Sequence, residues 1–194
     1  TQKSAWFLLH RLRHAARTRS FNRDLRGTVE VDESYFGGKE KNKHKHKKGK
    51  DKKVLAFGML ERGGELRVKT LDSQKQVRKE LFLNVKVGAK LMTDEWVAYT
   101  GLGKVYDHQS VAHGAGEYSK GDGIHINAIE GVWSIFKRQV YGIHHWVSAK
   151  HIDRYFAEAT WRYNRRGLEA VSRMNEFLTR VDGRLTYNAL IAKV

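Results

Sequence analysis

HINAIEGVWSIFKR, residues 125–138, decides how the rest of the chain is read. Ile126, Ile129, Trp133, Phe136 and Val140 follow at spacings of 3, 4, 3 and 4, so a helix sets all five on one face against a core. Glu130 and Lys137 lie two turns apart and stack on a neighbouring face. A carboxylate at the edge of a buried seam can meet charges on other elements. Asp32 and Asp94, which each leave a strand-like run, are the partners to expect.

Working outward, TVEVDESYF (28–36) alternates: Val29, Val31, Glu33 and Tyr35 fall on one side, and Glu30, Asp32, Ser34 and Phe36 on the other. This predicts a strand closed by Gly37 and Gly38. VLAFGML (54–60) and ELRVKTL (65–71), separated by ERGG, predict a hairpin. Ser73 and Gln76 resemble a capping box for a short helix running to about Val85. KLMT (90–93) predicts a fourth strand ending at Asp94, EWVAY then looks helical, and 104–113 offers a fifth strand. A glycine-rich loop (114–123) leads into the 125–138 helix. A helix over 148–163 follows, with Ile152, Tyr155, Phe156, Ala159 and Tyr163 on one face, and short helices fill 167–194. Residues 1–20 read as a helix in which Trp6, Leu8, Leu9 and Leu12 are mixed among Arg11, Arg13, Arg17 and Arg19, either packing on the core with its basic face outward or forming a stub that joins a preceding domain.

Three leading strands able to run antiparallel, followed by strands alternating with helices, predict an α/β protein: a mixed sheet of about five strands flanked by helices. This is the ribonuclease H-like arrangement. It divides as a connector (1–27), a catalytic domain (28–166) and a helical extension (167–194).

The charge balance narrows the function. Thirty-seven Lys and Arg against 21 Asp and Glu give +16, which points to a polyanionic partner, nucleic acid before membrane. Residues 39–53, KEKNKHKHKKGKDKK, hold nine lysines in fifteen positions and read as a loop, either merely solvated or contacting phosphates through Lys43, Lys45, Lys47, Lys48 and Lys50. Arg162, Arg165 and Arg166 form a second basic cluster at a helix C-terminus. With no cysteine, disulfides, thiol nucleophiles and cysteine-ligated zinc are excluded within these residues. No apolar run approaches the ~18 residues of a membrane span, and AWFLLHRLR is too short and too soon charged for a secretory signal. The chain opens on Thr1, as a trimmed or partial chain does.

Each carboxylate alone has an ordinary reading. Asp32 suits a turn near Ser34 or Gly37, Asp94 suits an N-cap, and Glu130 suits a surface pair with Ser134 or Lys137. Together they can converge at one end of a sheet. Phosphoryl transfer needs such hard oxygen ligands, holding two Mg²⁺ ions about 3.5–4 Å apart, with Mn²⁺ able to substitute. A metal also removes the contradiction of a basic chain presenting three acids to a polyanion.

VDESYFGG, LMTDEWVAY, and HINAIEGVWSIFKR with HHWVSAKHIDRYFAEATWRYNRR resemble bacterial insertion-sequence transposases of the DDE type, the ISXO-like group related to Merlin elements. The resemblance runs from AWFLLHRLR to RLTYNALIA. Thirty-five residues separate Asp94 from Glu130, and Lys137 follows seven later, in the family's acid-plus-lysine pattern. It implies a DNA transposase catalytic domain, bacterial and cytoplasmic at the nucleoid, dimeric or larger on DNA. Asp32 and Asp94 would be metal ligands, with Glu130 the third in preference to Asn127, since the group uses either residue type. His125 would touch the scissile phosphate or only the helix entrance. Lys137, with Arg138 beside it, would hold phosphate, and Trp133 would be core rather than a base platform. Family members usually carry an N-terminal zinc ribbon or helix-turn-helix; without cysteines this reads as an isolated catalytic domain. The rival readings are a nuclease or resolvase on the same fold, unable to join strands, and a transposase-derived DNA-binding protein without catalysis.

Overall fold

The computed structural model describes residues 1–17, 23–37, 53–111, 123–181 and 185–192. The chain forms two units: Asn22–Ala149, and Thr1–Phe21 together with Lys150–Val194.

The first unit is built on five strands, β1 (Thr28–Phe36), β2 (Val54–Glu61), β3 (Leu66–Leu71), β4 (Lys90–Asp94) and β5 (Asp107–Val111), in the order β3-β2-β1-β4-β5. β1 pairs antiparallel with β2 and parallel with β4; β2 and β3 form the antiparallel hairpin, and β4 and β5 are parallel. Sheet and flanking helices make the ribonuclease H-like α/β fold. At the hairpin turn Gly63 holds φ +72°, which a side chain would resist, and Gly64 N–H donates to the Glu61 carbonyl.

The alternation of β1 sends its two faces to different partners. Val29 and Val31, with Leu55, Phe57 and Met59 of β2, enter a core closed by Val77 and Leu81 of α2 (Gln76–Asn84). The opposite face receives α3 (Asn127–Arg138), whose seam Ile126, Ile129, Trp133, Phe136 and Val140 is buried throughout. Gly58, the β2 residue opposite Asp32, lets the helix come close: a methyl there would sit 2.6 Å from the Trp133 ring and 2.9 Å from Ile129.

Three local expectations are corrected. Gln76 does not cap through Ser73; its side-chain oxygen accepts from the Asp72 N–H at 2.9 Å, and α2 starts with no side-chain cap of its own. EWVAY forms only a single 3₁₀ turn, Val97–Tyr99, because Asp94 Oδ1 accepts from Trp96 N–H and folds the chain directly after the strand. The fifth strand is shorter than 104–113: it begins at Asp107, and residues 112 and 113 lie outside the described residues.

In the second unit α1 (Gln2–Ala15) packs on α4 (Ile152–Asn164). The expected outward basic face of this segment holds for Arg11 and Arg17 but not for Arg13, which is buried with His10 and Ala16, while Leu8, Leu9 and Leu12 are exposed. The cause is the partner. Arg13 donates to Glu158 at 2.9 Å and lies over the Tyr155 ring, and His10 packs against Trp6, Tyr155 and His151. Leu9 and Leu12 instead line a groove of about 510 Å³ with Trp161, Met174 and Phe177. α5 (Ala170–Leu178) and α6 (Tyr187–Ile191) complete this unit. Among the described residues no helix is long and apolar enough to cross a membrane.

Candidate metal centre

Strand register brings the first two acids together. Thr28 pairs with Lys90 and Glu30 with Met92, so the same offset carried two places on sets Asp94 level with Asp32. Pairing between β1 and β4 stops at Glu30, and the gap beyond it is where the carboxylates gather. Ligand oxygens of Asp32, Glu33 and Asp94 all lie within 4.8 Å of one another, the three side chains being half-buried. Glu33 is the unexpected member. By alternation it belongs to the other face of β1, yet it joins Asp32 where the neighbouring strand has parted.

Each acid is held. Asp94 keeps one oxygen on the Trp96 N–H at 3.0 Å. Glu33 Oε1 accepts from the hydroxyl of the buried Tyr99. The Trp133 indole N–H, buried and without a hydrogen bond of good geometry, favours the charged form of Asp32.

The electrostatics are those of a crowded anionic site. Burial, then the Asp94 and Glu130 carboxylates, pushes Asp32 up to about 7 against the opposing Glu33 backbone and Trp133. Burial, then Asp32 and Asp94, pushes Glu33 up to about 8 although Tyr99 opposes it. Burial and the Glu33 charge together hold Tyr99 well above the usual phenol range. Glu130, half-buried in the first turn of α3, thus acts on Asp32 electrostatically without belonging to the 4.8 Å group. Three hard carboxylate oxygens with a fourth carboxylate nearby fit a hard divalent cation, Mg²⁺ or Mn²⁺, and offer nothing to a soft one.

A second acid explains how α3 is placed. Glu30, fully buried two residues before Asp32, accepts from Arg62 Nε at 2.6 Å and from the Ile129 backbone N–H at 2.9 Å. The N-cap residue Ile126 offers no side-chain cap, so a carboxylate from the sheet satisfies one of the helix's orphan N–H groups and faces its positive end. Arg62 also donates to the Gly123 carbonyl at 2.7 Å, to the His125 carbonyl at 2.7 Å and to His125 Nδ1 at 3.0 Å. The Glu30 carboxylate lies 3.4 Å from the same Nδ1. His125 is therefore part of the lock at the helix entrance.

The other expected residues are not members of that carboxylate group. Asn127, the first residue of α3, is exposed, as are Lys137 and Arg138 in its last turn. Lys43, Lys45, Lys47, Lys48 and Lys50 lie outside the described residues. Arg162 and Arg166 are exposed in the second unit, Arg162 pairing with Glu158 at 3.0 Å and Arg166 lying over Tyr163. Arg165 is occupied by a two-pronged clasp on Glu176, at 2.6 and 2.9 Å.

Glu33, Tyr99, Glu30 and Arg62 escaped the reading of the sequence. The run of acids in VEVDESYF was the available signal for two of them.

No relative among curated proteins matches the sequence. The family model described as the ISXO2-like transposase domain matches residues 24–164, from just ahead of β1 to the end of α4. The chain belongs to that family, the ISXO2-like transposases of insertion sequences.

Proposed function

We propose that this domain carries out metal-dependent cleavage of DNA at the ends of its element and joins the freed 3′-hydroxyl to target DNA, in the bacterial cytoplasm. The observation that supports this reading most is the meeting of Asp32, Glu33 and Asp94 at the parted ends of β1 and β4 in a transposase-family chain of net charge +16. Asp32, Glu33 and Asp94, with Glu130 beside them, would hold two Mg²⁺ ions or their Mn²⁺ substitutes. Bound there, divalent cations supply the charge that activates an attacking oxygen and stabilises the leaving one.

In the first step water attacks the phosphorus at the element end. The bond to the 3′-oxygen breaks, leaving a 3′-hydroxyl and a 5′-phosphate. In the second that hydroxyl attacks a target phosphodiester and displaces its 3′-oxygen, so one P–O bond replaces another and no covalent protein intermediate forms. Lys137 and Arg138 on α3, the 39–53 lysines, and Arg162 and Arg166 would contact the backbone. Pairing of two ends would call for a dimer or larger assembly on DNA.

The test is strand joining with pre-cleaved element ends, a plasmid target and Mg²⁺ or Mn²⁺, comparing the protein with Asp94→Ala. Joined product that disappears in the variant supports the proposal. Nicking without joining supports a nuclease instead, and equal DNA binding with no chemistry in either protein removes the catalytic reading.

A further inference from the structure

Beyond α3 the backbone departs from regular structure twice within eight residues. The helix widens into a π turn at Gln139–Ile143, and His145 then takes φ +59° with Trp146 N–H donating to the His144 carbonyl at 2.6 Å. The second is a γ-turn on a residue that has a side chain, a costly arrangement. π turns and such strained residues concentrate at functional sites.

Their product is an apolar surface held in water: Trp146 is 71% exposed, Ile143 70% and Tyr141 44%. The turn is anchored, since Tyr141 hydroxyl donates to the Gly37 carbonyl at 3.3 Å, at the end of the strand that carries Asp32 and Glu33. The local sequence suits an anion. Not one acidic residue occurs between Glu130 and Asp153, and Lys137 and Arg138 project from the preceding turn of α3.

An exposed indole on an acid-free stretch of chain that also carries cations has the two parts of a single-strand DNA contact, a stacking face and a backbone grip. We propose that Trp146, on the turn that also exposes Ile143 and Tyr141, is a stacking platform for an unpaired nucleobase. The proposal rests on the DNA-transposase reading and adds to it that the bound DNA is locally unstacked. A base already out of its duplex is the cheapest to capture, so the platform would favour DNA with a melted or gapped position over continuous duplex.

The experiment is binding in EDTA, which keeps it independent of cleavage and joining. The probes are a continuous duplex and the same duplex with one unpaired 5-iodouracil, tested against the protein, Trp146→Ala and Trp146→Phe. The expected result is a loss on the order of 5- to 150-fold for Trp146→Ala on the unpaired-base probe alone, with Trp146→Phe close to the parent. Irradiation should cross-link the iodouracil to Trp146. Equal loss on both probes, no loss on either, or a cross-link elsewhere overturns the platform while leaving the joining chemistry intact. Dissociation of a dimer by Trp146→Ala, with the probe preference unchanged, assigns the surface to self-association and likewise overturns it. Failure to bind either probe overturns it together with the DNA reading it rests on.

Discussion

Replacing Glu30 by alanine tests how the sheet places the helix that carries Glu130. The carboxylate is fully buried and accepts two short bonds, from Arg62 at 2.6 Å and Ile129 N–H at 2.9 Å. Its loss leaves the Ile129 N–H buried without an acceptor, a cost of about 1–3 kcal/mol. It also strips a favourable anion from the positive end of α3, about 0.3–1 kcal/mol. Breaking a fully buried ion pair costs about 3–5 kcal/mol, but Arg62 is 26% exposed and keeps its bonds to the Gly123 and His125 carbonyls, so water and backbone take up part of its charge. The expected destabilisation is therefore about 2–4 kcal/mol. Glu30→Gln keeps an acceptor for Ile129 and loses only the charge, so it should cost about half as much. Urea denaturation in EDTA measures both, and joining activity should fall in the same order. A loss below about 1 kcal/mol for Glu30→Ala, or equal losses for the two variants, would refute the reasoning.

Gly58→Ala forces a methyl to 2.6 Å from the Trp133 ring, which is backed by Phe36 and Phe136 and cannot retreat. Denaturation should show about 1–3 kcal/mol of overpacking, and joining should fall further than DNA binding does. Asp32 and Glu33 are pushed up to about 7 and 8, so the folded chain keeps protons that the unfolded chain has released. Metal-free stability must then fall as pH rises through those values, with Mn²⁺ restoring it at the alkaline end. His10, held down at about 4 by burial, acts oppositely only below about pH 6.5, so melting between pH 6.5 and 8.5 isolates the carboxylates. Asp94→Asn retains an oxygen for Trp96 N–H and removes one repelling charge. It should stabilise the metal-free protein at pH 8, on the order of 1 kcal/mol, while abolishing joining. Arg162→Ala and Arg166→Ala should each lower the salt dependence of DNA binding by about one ion, whereas Arg165→Ala should mainly destabilise the fold by leaving Glu176 with Arg180 as its remaining ion pair.

What could be read in advance was what depends on short-range pattern. The apolar positions Val29 and Val31 of β1, the ERGG turn and the 3-4-3-4 seam of α3 each answer to a short-range pattern, and the structure places those residues as that pattern requires. Asp94 was expected at a strand exit and ends β4, whereas Asp32, expected at one too, lies in the middle of β1 and meets Asp94 only because pairing with β4 stops at Glu30. Glu33 was not legible, because alternation assigns it to the far face and only the end of β1–β4 pairing lets it reach Asp32. Glu30 looked like one more strand acid; its role appears only when α3, about a hundred residues later, presents an uncapped N-terminus to it. The α1 error has the same origin. Leucines outweigh histidine and arginine on any hydropathy scale, but Glu158 and Tyr155 on α4 supply partners that bury Arg13, and aromatic rings enclose His10.

The central claim is that Asp94 touches a divalent cation during joining. The chain has no cysteine, so Asp94→Cys introduces a single thiol at the place of one carboxylate. A thiolate is a poor ligand for Mg²⁺ and a better one for the softer Mn²⁺. Strand joining by Asp94→Cys is predicted to vanish in Mg²⁺ and to return in Mn²⁺, with DNA binding unchanged in EDTA. Joining in Mg²⁺ undiminished by the substitution, or absent with both ions, would contradict the account.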